Sequence, residues 1–268
     1  WESVPFIRIS DLRLMEISEP IGSDMHPMFH RFWGRFSPYG QEMLFADAVL
    51  YGKPYPIKAM VVTGGNPALT LPDSNQVRQA MNKLDFMVVV DLFMTDTAKL
   101  ADIVLPACSF LEKKRIGYFY GVTSCLPYVL ARKKVIEPVG ESWPDWKFWT
   151  ELGKRMCYGN LFPWKTEDEV VEFLLKPSGL TMEQLTKENP KGVFYAQKKY
   201  EIGKFRTPSG RIELYSETLA ENGYVPLPML IELIPSSIST PELARKYLLI
   251  LATGSRSLYY THSQFRNV

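Results

Sequence analysis

Two stretches carry residue types that could contact a ligand. The first is Gly64-Gly65-Asn66-Pro67. Adjacent glycines let a backbone come close to a phosphate, and a helix N-terminus behind them favours its negative charge. The pattern is not G-x-G-x-x-G, so an ordinary NAD site is not implied. A Gly-Gly pair by itself is more often simply a turn. The second is Asp91, which ends the apolar run Phe86–Val90. A carboxylate there can accept bonds from ribose hydroxyls or purine N–H groups. Equally, it can cap the turn that follows. Thr95 and Thr97 have the same two readings, whereas Asp102, just before the next apolar run, reads as a structural cap.

Groups that could do chemistry by themselves are scarce. No Ser/His/Asp arrangement and no paired carboxylates stand out, so no catalytic residue is assigned. His26 and His30 are four apart, but Pro27 lies between them and no third ligand is evident. No metal site is assigned on those grounds. Cys108, Cys125 and Cys157 form no C-x-x-C pair, which argues against zinc or iron–sulfur ligation within this chain, and they read as buried free thiols.

The elements that must position Gly64-Gly65-Asn66 and Asp91 follow from the apolar pattern. Lys58–Val62, Phe86–Val90 and Ile103–Leu105 are short and β-branched, each followed by turn or cap residues, as in buried parallel strands. Between the first two, Val77, Ala80, Met81 and Leu84 recur at helical spacing behind a cap at Asp73 or Ser74. A short helix near Thr95–Leu100 completes a β-α-β-α-β unit with right-handed crossovers. In such sheets ligands bind just past the carboxyl ends of the strands. An amphipathic helix is expected over Gly40–Leu50, ahead of the first strand.

After that unit the pattern loosens. Ser109–Gly140 reads as looped and extended. A helix starts at Pro144-Asp145 with Trp146, Trp149, Leu152, Gly153 and Met156 on one face. Thr166-x-x-Glu169 and Thr181-x-x-Gln184 are capping boxes. Val193–Tyr200 is strand-like, and Thr207-Pro208-Ser209-Gly210 turns into a strand at Arg211–Tyr215. Ser216–Glu221 is a helical turn ended by Gly223, Tyr224–Pro241 is a linker, and Tyr247–Leu251 is a further strand. The fold class is therefore α/β: a Rossmann-like parallel sheet with crossover helices, then an irregular α+β segment, then the first strand of a further domain. The expected boundaries are 1–50 for an irregular lead-in and helix, 51–160 for the Rossmann-like domain, 161–240 for the α+β extension and linker, and 241–268 for the start of the last domain.

Composition excludes several classes. With 46% hydrophobic and 22% charged residues in 268, the chain is globular rather than disordered. A net charge of +2, with Lys113-Lys114-Arg115 and Arg132-Lys133-Lys134 as its basic runs, gives no case for nucleic acid. No stretch of about 18 apolar residues exists for direct membrane insertion. The chain opens at Trp1 and stops at Val268 just after a promising motif, so it reads as an internal piece of a longer polypeptide whose localisation is not legible here.

Taken as a set, these blocks resemble the molybdopterin oxidoreductase family of the dimethyl sulfoxide reductase type. The blocks are Gly64-Gly65-Asn66-Pro67, Val88 to Ala98 around Asp91, Ala101-Asp102-Ile103-Val104-Leu105-Pro106-Ala107, Glu112, Pro138 to Trp146, Phe205 to Glu213, and Thr253-Gly254 with His262-Ser263. The resemblance runs from about Tyr51 to Val268. It implies that Gly64, Gly65, Asn66, Asp91 and Thr95 hold the guanosine and phosphate end of a molybdopterin guanine dinucleotide. It implies that Thr253, Gly254, Ser255, Arg256, His262 and Ser263 approach the pterin or phosphates from a C-terminal β-barrel, of which Tyr247–Leu251 is the first strand. Here the sequence departs from the family, with Ser255 where Arg is usual and Arg256 one step later.

The resemblance further implies a parent enzyme with bis-molybdopterin guanine dinucleotide and Mo or W, performing two-electron redox or oxygen-atom transfer. A 4Fe-4S cluster and the metal ligand would lie upstream of Trp1, leaving this piece inactive alone. Its partners would be the remainder of its own chain, an iron–sulfur electron-transfer subunit and a membrane-anchor subunit. The alternatives on the same fold are a non-redox hydratase and a cofactor-free scaffold homologue. The substrate is open among formate, nitrate, thiosulfate or polysulfide, arsenic oxyanions and sulfoxides.

Overall fold

β-Branched runs placed between turn signals dictate the first sheet. In the computed structural model, which describes residues 20–25, 40–117, 128–194, 205, 207, 209–230, 232 and 236–249, three parallel strands run in the order β1 (Ala59–Thr63), β2 (Phe86–Asp91), β3 (Ile103–Pro106). The register pairs Val62 with Val89 and Val90 with Leu105. Ahead of β1, a 3-10 turn at Glu42–Leu44 leads into helix α1 (Phe45–Tyr51), which overlaps the expected helix and ends one residue past it. The β1–β2 crossover contains one turn, α2 (Pro67–Thr70), and the helix α3 (Ser74–Lys83). Asp73 caps α3 by accepting the Gln76 N–H at 3.2 Å. The β2–β3 crossover carries only a 3-10 turn at Ala98–Leu100.

One face of the sheet forms the core. Val62, Met87 and Val89 pack with Val77 and Met81 of α3 and with Ala68 and Ala98. Helix α1 adds a second layer through Ala46 and Val49 against Ala80. Asp102 is the structural cap expected: its carboxylate accepts the Met87 N–H at 2.6 Å and its own N–H donates to the Met87 carbonyl at 2.9 Å. This fixes where β2 begins relative to β3.

Ser109–Gly140 is not simply looped. It contains β4 (Arg115–Gly117) and β5 (Tyr128–Arg132), which pair antiparallel, and β6 (Val193–Phe194) joins β5. Ile116, Val129 and the half-buried Ala131 turn inward onto helix α5 (Glu167–Leu175), meeting Val171, Leu175 and Leu185. Strands of three and five residues between charged triplets are too short for the alternation to stand out. One capping box forms in full and the other in part. Thr166 Oγ1 accepts the Glu169 N–H at 3.3 Å, while the Glu169 carboxylate takes the N–H of Lys165 rather than that of Thr166. Thr181 and Gln184 bond reciprocally at 3.2 and 2.9 Å.

Helix α4 (Asp145–Arg155) buries Thr150 and, of the expected face, Gly153, while Trp146 and Leu152 are half-buried. Trp149 and Met156 are exposed. The reason is Phe162, whose ring lies over Gly153 and meets Trp164 edge-on, with Trp164 in turn against Phe173 of α5. Cys108 is buried, and burial pushes its thiol pKa up, but Cys157 is exposed at a left-handed φ of 66°.

The chain divides into two compact units, Trp1–Glu213 and Leu214–Val268. Arg211–Tyr215 is not a strand. Ile212 and Leu214 are 69% and 80% exposed, so no apolar burial rewards extension there. Helix α6 (Glu217–Glu221) is capped by Ser216, and Gly223 follows at φ 78°. Pro241 opens α7 (Pro241–Lys246) rather than only ending a linker. Tyr247–Leu249 forms no strand, and no closed barrel occurs among the described residues. Ile250 and Leu251, His26 and His30, Cys125, and most of Val193–Tyr200 lie outside them.

Among the described residues, Glu112 is the buried charged side chain. Its carboxylate accepts the N–H groups of Ser109 and Val139, both at 2.6 Å, and the Ser142 hydroxyl at 3.3 Å. These bonds, outweighing burial, lower its pKa from the ordinary 4.5 to about 2. The unfolded chain therefore binds the proton first as pH falls. The stabilisation is complete above pH 4.5, declines below it and is gone below about pH 2. Glu112→Gln is expected to cost about 2 kcal/mol at neutral pH. The gap to the wild type should narrow towards pH 2 in denaturant melts followed across pH. At Gly153, a Cβ would stand 2.6 Å from the Phe162 ring. Gly153→Ala should thus lose about 1–3 kcal/mol to overpacking despite about 1 kcal/mol of gained helix propensity. Adding Phe162→Leu should recover stability in the same melts.

Candidate functional site

The first two strands deliver their loops to one edge. β1 ends at Thr63 and β2 at Asp91, and the Gly64 N–H donates to the Val90 carbonyl at 3.0 Å, carrying the ladder one step further. Gly64 then turns at φ 59°, where a side chain is strained. A Cβ built there meets nothing within 4 Å, so this side of the turn is open. The following helix is a single turn opened by Pro67, and the longer α3 starts only at Ser74. The loop's own N–H groups, rather than a helix terminus, are therefore what it offers to an anion.

Asn66 locks this loop to the next one. Its Oδ1 accepts the Thr97 N–H at 3.1 Å and the Thr97 hydroxyl at 2.7 Å. An N–H can only donate, so the amide oxygen must be the atom facing it. Thr97 is completely buried, and its Oγ1 accepts the Ala68 N–H at 3.0 Å. The amide Nδ2 of Asn66 and the backbone N–H groups of Gly65 and Asn66 have no acceptor among the described residues. Three donors thus remain for a ligand at the Gly64 turn.

Across the edge, Asp91 Oδ1 accepts the Phe93 N–H at 3.0 Å, while its backbone carbonyl accepts the Ala107 N–H at 3.1 Å. Its other carboxylate oxygen has no partner among the described residues. Thr95 Oγ1 accepts the Ala98 N–H at 3.1 Å, leaving its hydroxyl proton to donate. Asp96 pairs with Arg78 of α3 at 3.2 Å and with Lys99 at 3.6 Å, tying this loop to the crossover helix. Leu92, Phe93 and Met94 between them are exposed. The edge can take an anion on one loop and a hydrogen-bond donor on the other.

Gly64, Gly65, Asn66, Asp91 and Thr95 are all at this edge. Thr253, Gly254, Ser255, Arg256, His262 and Ser263 lie outside the described residues. The part played by Thr97 carries no local signal, because its partner Asn66 is 31 residues away. Among the described residues no group of three His, Cys, Asp or Glu side chains could hold a metal, and no helix is long and apolar enough to cross a membrane.

Comparison with known proteins bears on this arrangement directly. Residues 44–155, which contain the whole edge, match the molybdopterin oxidoreductase family. Acetylene hydratase of Syntrophotalea acetylenica is 31% identical over 266 residues, 95% of this chain and 34% of the hydratase. The thiosulfate reductase molybdopterin-containing subunit of Salmonella typhimurium is 30% identical over 202 residues, 65% of this chain and 26% of that subunit. The solved structure of acetylene hydratase from Pelobacter acetylenicus superimposes with a TM-score of 0.83 at 27% identity, covering 99% of this chain and 40% of that one. The chain thus spans a minor part of these relatives, among which are both a hydratase and a redox enzyme. Residues 44–155 of this chain are a domain of the molybdopterin oxidoreductase family.

Proposed function

We propose that this chain holds the guanosine and phosphate end of a molybdopterin guanine dinucleotide within a longer molybdopterin enzyme. What carries the reading is the edge itself: three unused donors around an open Gly64 turn, beside an Asp91 oxygen without a partner. Gly65, Asn66 and the Asn66 amide suit phosphate oxygens. The free oxygen of Asp91 suits the N–H groups of guanine, and the Thr95 hydroxyl suits an acceptor on the same ligand. These residues fit that end of the group in both charge and space.

The bound group itself supplies two-electron or oxygen-transfer chemistry at Mo or W, and this chain's residues bind and orient it. The Asn66–Thr97 bonds hold the two loops at a fixed separation, so that donors and carboxylate meet one ligand together. Exposed Leu92, Phe93 and Met94 give the second loop an apolar surface on which a flat base can rest. A 4Fe-4S cluster, an electron-transfer subunit and an anchor subunit belong to the redox form of this proposal.

A second reading, a non-redox hydratase, is favoured by one observation. The acetylene hydratase matches 95% of this chain, against 65% for the thiosulfate reductase subunit. Acetylene hydration assayed in the full parent without an electron acceptor separates it from dye-coupled reduction.

Metal analysis with guanine release on the full-length parent, purified anaerobically, tests the binding role. About two guanines per Mo or W are expected for a bis-dinucleotide enzyme. Asp91→Ala should lower guanine to about one per metal while the melting temperature stays within a few degrees. A well-folded parent without metal or guanine sinks the proposal and leaves a scaffold descended from the family.

A further inference from the structure

The antiparallel β4–β5 pair sets two arginines directly opposite each other. Arg115 pairs with Arg132 in the antiparallel register, and both are exposed. Like charges facing across a ladder are destabilising unless something neutralises them. The neighbouring bases are already matched: Lys113 bonds Asp145, Lys114 bonds Asp168, and Lys134 lies 2.8 Å from Glu137. Arg115, Arg132 and the exposed Lys133 have no such carboxylate among the described residues.

The strand alternation decides where these charges sit. Ile116, Val129 and Ala131 face the core with α5, so Arg115, Gly117, Leu130 and Arg132 share the outer face. A Cβ at Gly117 would stand 3.6 Å from Arg132 Nε and 3.4 Å from Leu130 Cγ. The Leu130 and Arg132 side chains therefore lie over the bare backbone of Gly117.

We propose that the outer face of β4–β5 is a docking surface for an acidic segment of a partner protein. Its carboxylates would take the Arg115 and Arg132 guanidinium groups, with Lys133 at the margin. Guanidinium forks bind carboxylates bidentately, and a carboxylate between opposed arginines also removes their repulsion. An exposed sheet face suits an extended chain rather than a small anion, because small-ligand sites are concave. This surface shares no residue with the Gly64–Asp91 edge, so the two proposals stand or fall separately.

The test uses the full chain and a fluorescein-labelled hexaglutamate peptide, followed by anisotropy at low and physiological salt. The peptide is expected to bind and to weaken as salt rises. Arg115→Gln with Arg132→Gln should weaken binding about tenfold or more, whereas Lys191→Gln with Arg211→Gln, exposed bases elsewhere, should change it by about twofold or less. The arginine variant should melt no lower than the parent chain, since repulsion is relieved. If it does melt lower, Arg115→Lys with Arg132→Lys keeps the charge and should still bind several-fold more weakly for want of the fork. Equal losses in the arginine and control variants, undiminished binding in the lysine variant, absence of binding at low salt, or displacement of the peptide by inorganic phosphate at equal concentration would each overturn the docking surface.

Discussion

Asn66 and Thr97 make the contact on which the ligand edge depends. One amide oxygen takes both the N–H and the hydroxyl of a completely buried threonine, and that threonine's oxygen returns to the Ala68 N–H. The ring of bonds joins the loop after β1 to the loop after β2. Beside it, the crossovers share core packing at Ala68 and Ala98 and the Arg78–Asp96 pair, a half-exposed ion pair of small worth. Because the network is buried and satisfied, loosening it leaves polar groups unpaired inside the protein, which is far more costly than losing a surface contact. The oxygen of Asn66 is used for the fold, and its nitrogen remains for a ligand.

The same division appears in the other edge residues. Asp91 caps its own turn with one oxygen, and Thr95 caps the 3-10 turn with its oxygen lone pair. A structural and a binding role are not rivals for such residues, because each has more hydrogen-bonding capacity than the cap consumes. Capping holds the side chain in one rotamer, and a pre-positioned group loses less freedom when a ligand arrives.

The parallel sheet is legible in the sequence because Ala59–Thr63, Phe86–Asp91 and Ile103–Pro106 are β-branched runs with clear punctuation, and Asp73 and the two capping boxes announce their helices. The candidate edge is legible for the same reason, since a parallel sheet places its ligand residues after the strands. What escapes is set by distant partners. Phe162 lies over Gly153 of α4 while Trp149 and Met156 of the expected face stay exposed, and nothing in the helical spacing says so. The β4–β5 pairing depends on α5, some forty residues on, and is hidden by short strands. Arg211–Tyr215 has the apolar alternation of a strand but no apolar neighbour to reward it.

Glu112 has a consequence of another kind. By bonding the N–H groups of both Ser109 and Val139, it makes the chain leave the sheet domain and return to it at a single point. The contacts of Val135 and Ile136 with the Leu111 carbonyl tighten the same neck. Everything between becomes a closed excursion, and loop-closure entropy rises only by about 0.6 kcal/mol for each doubling of length. A change in chain length between Ser109 and Val139 is accordingly closed off at this neck, leaving the spacing of the Gly64 and Asp91 loops as it is.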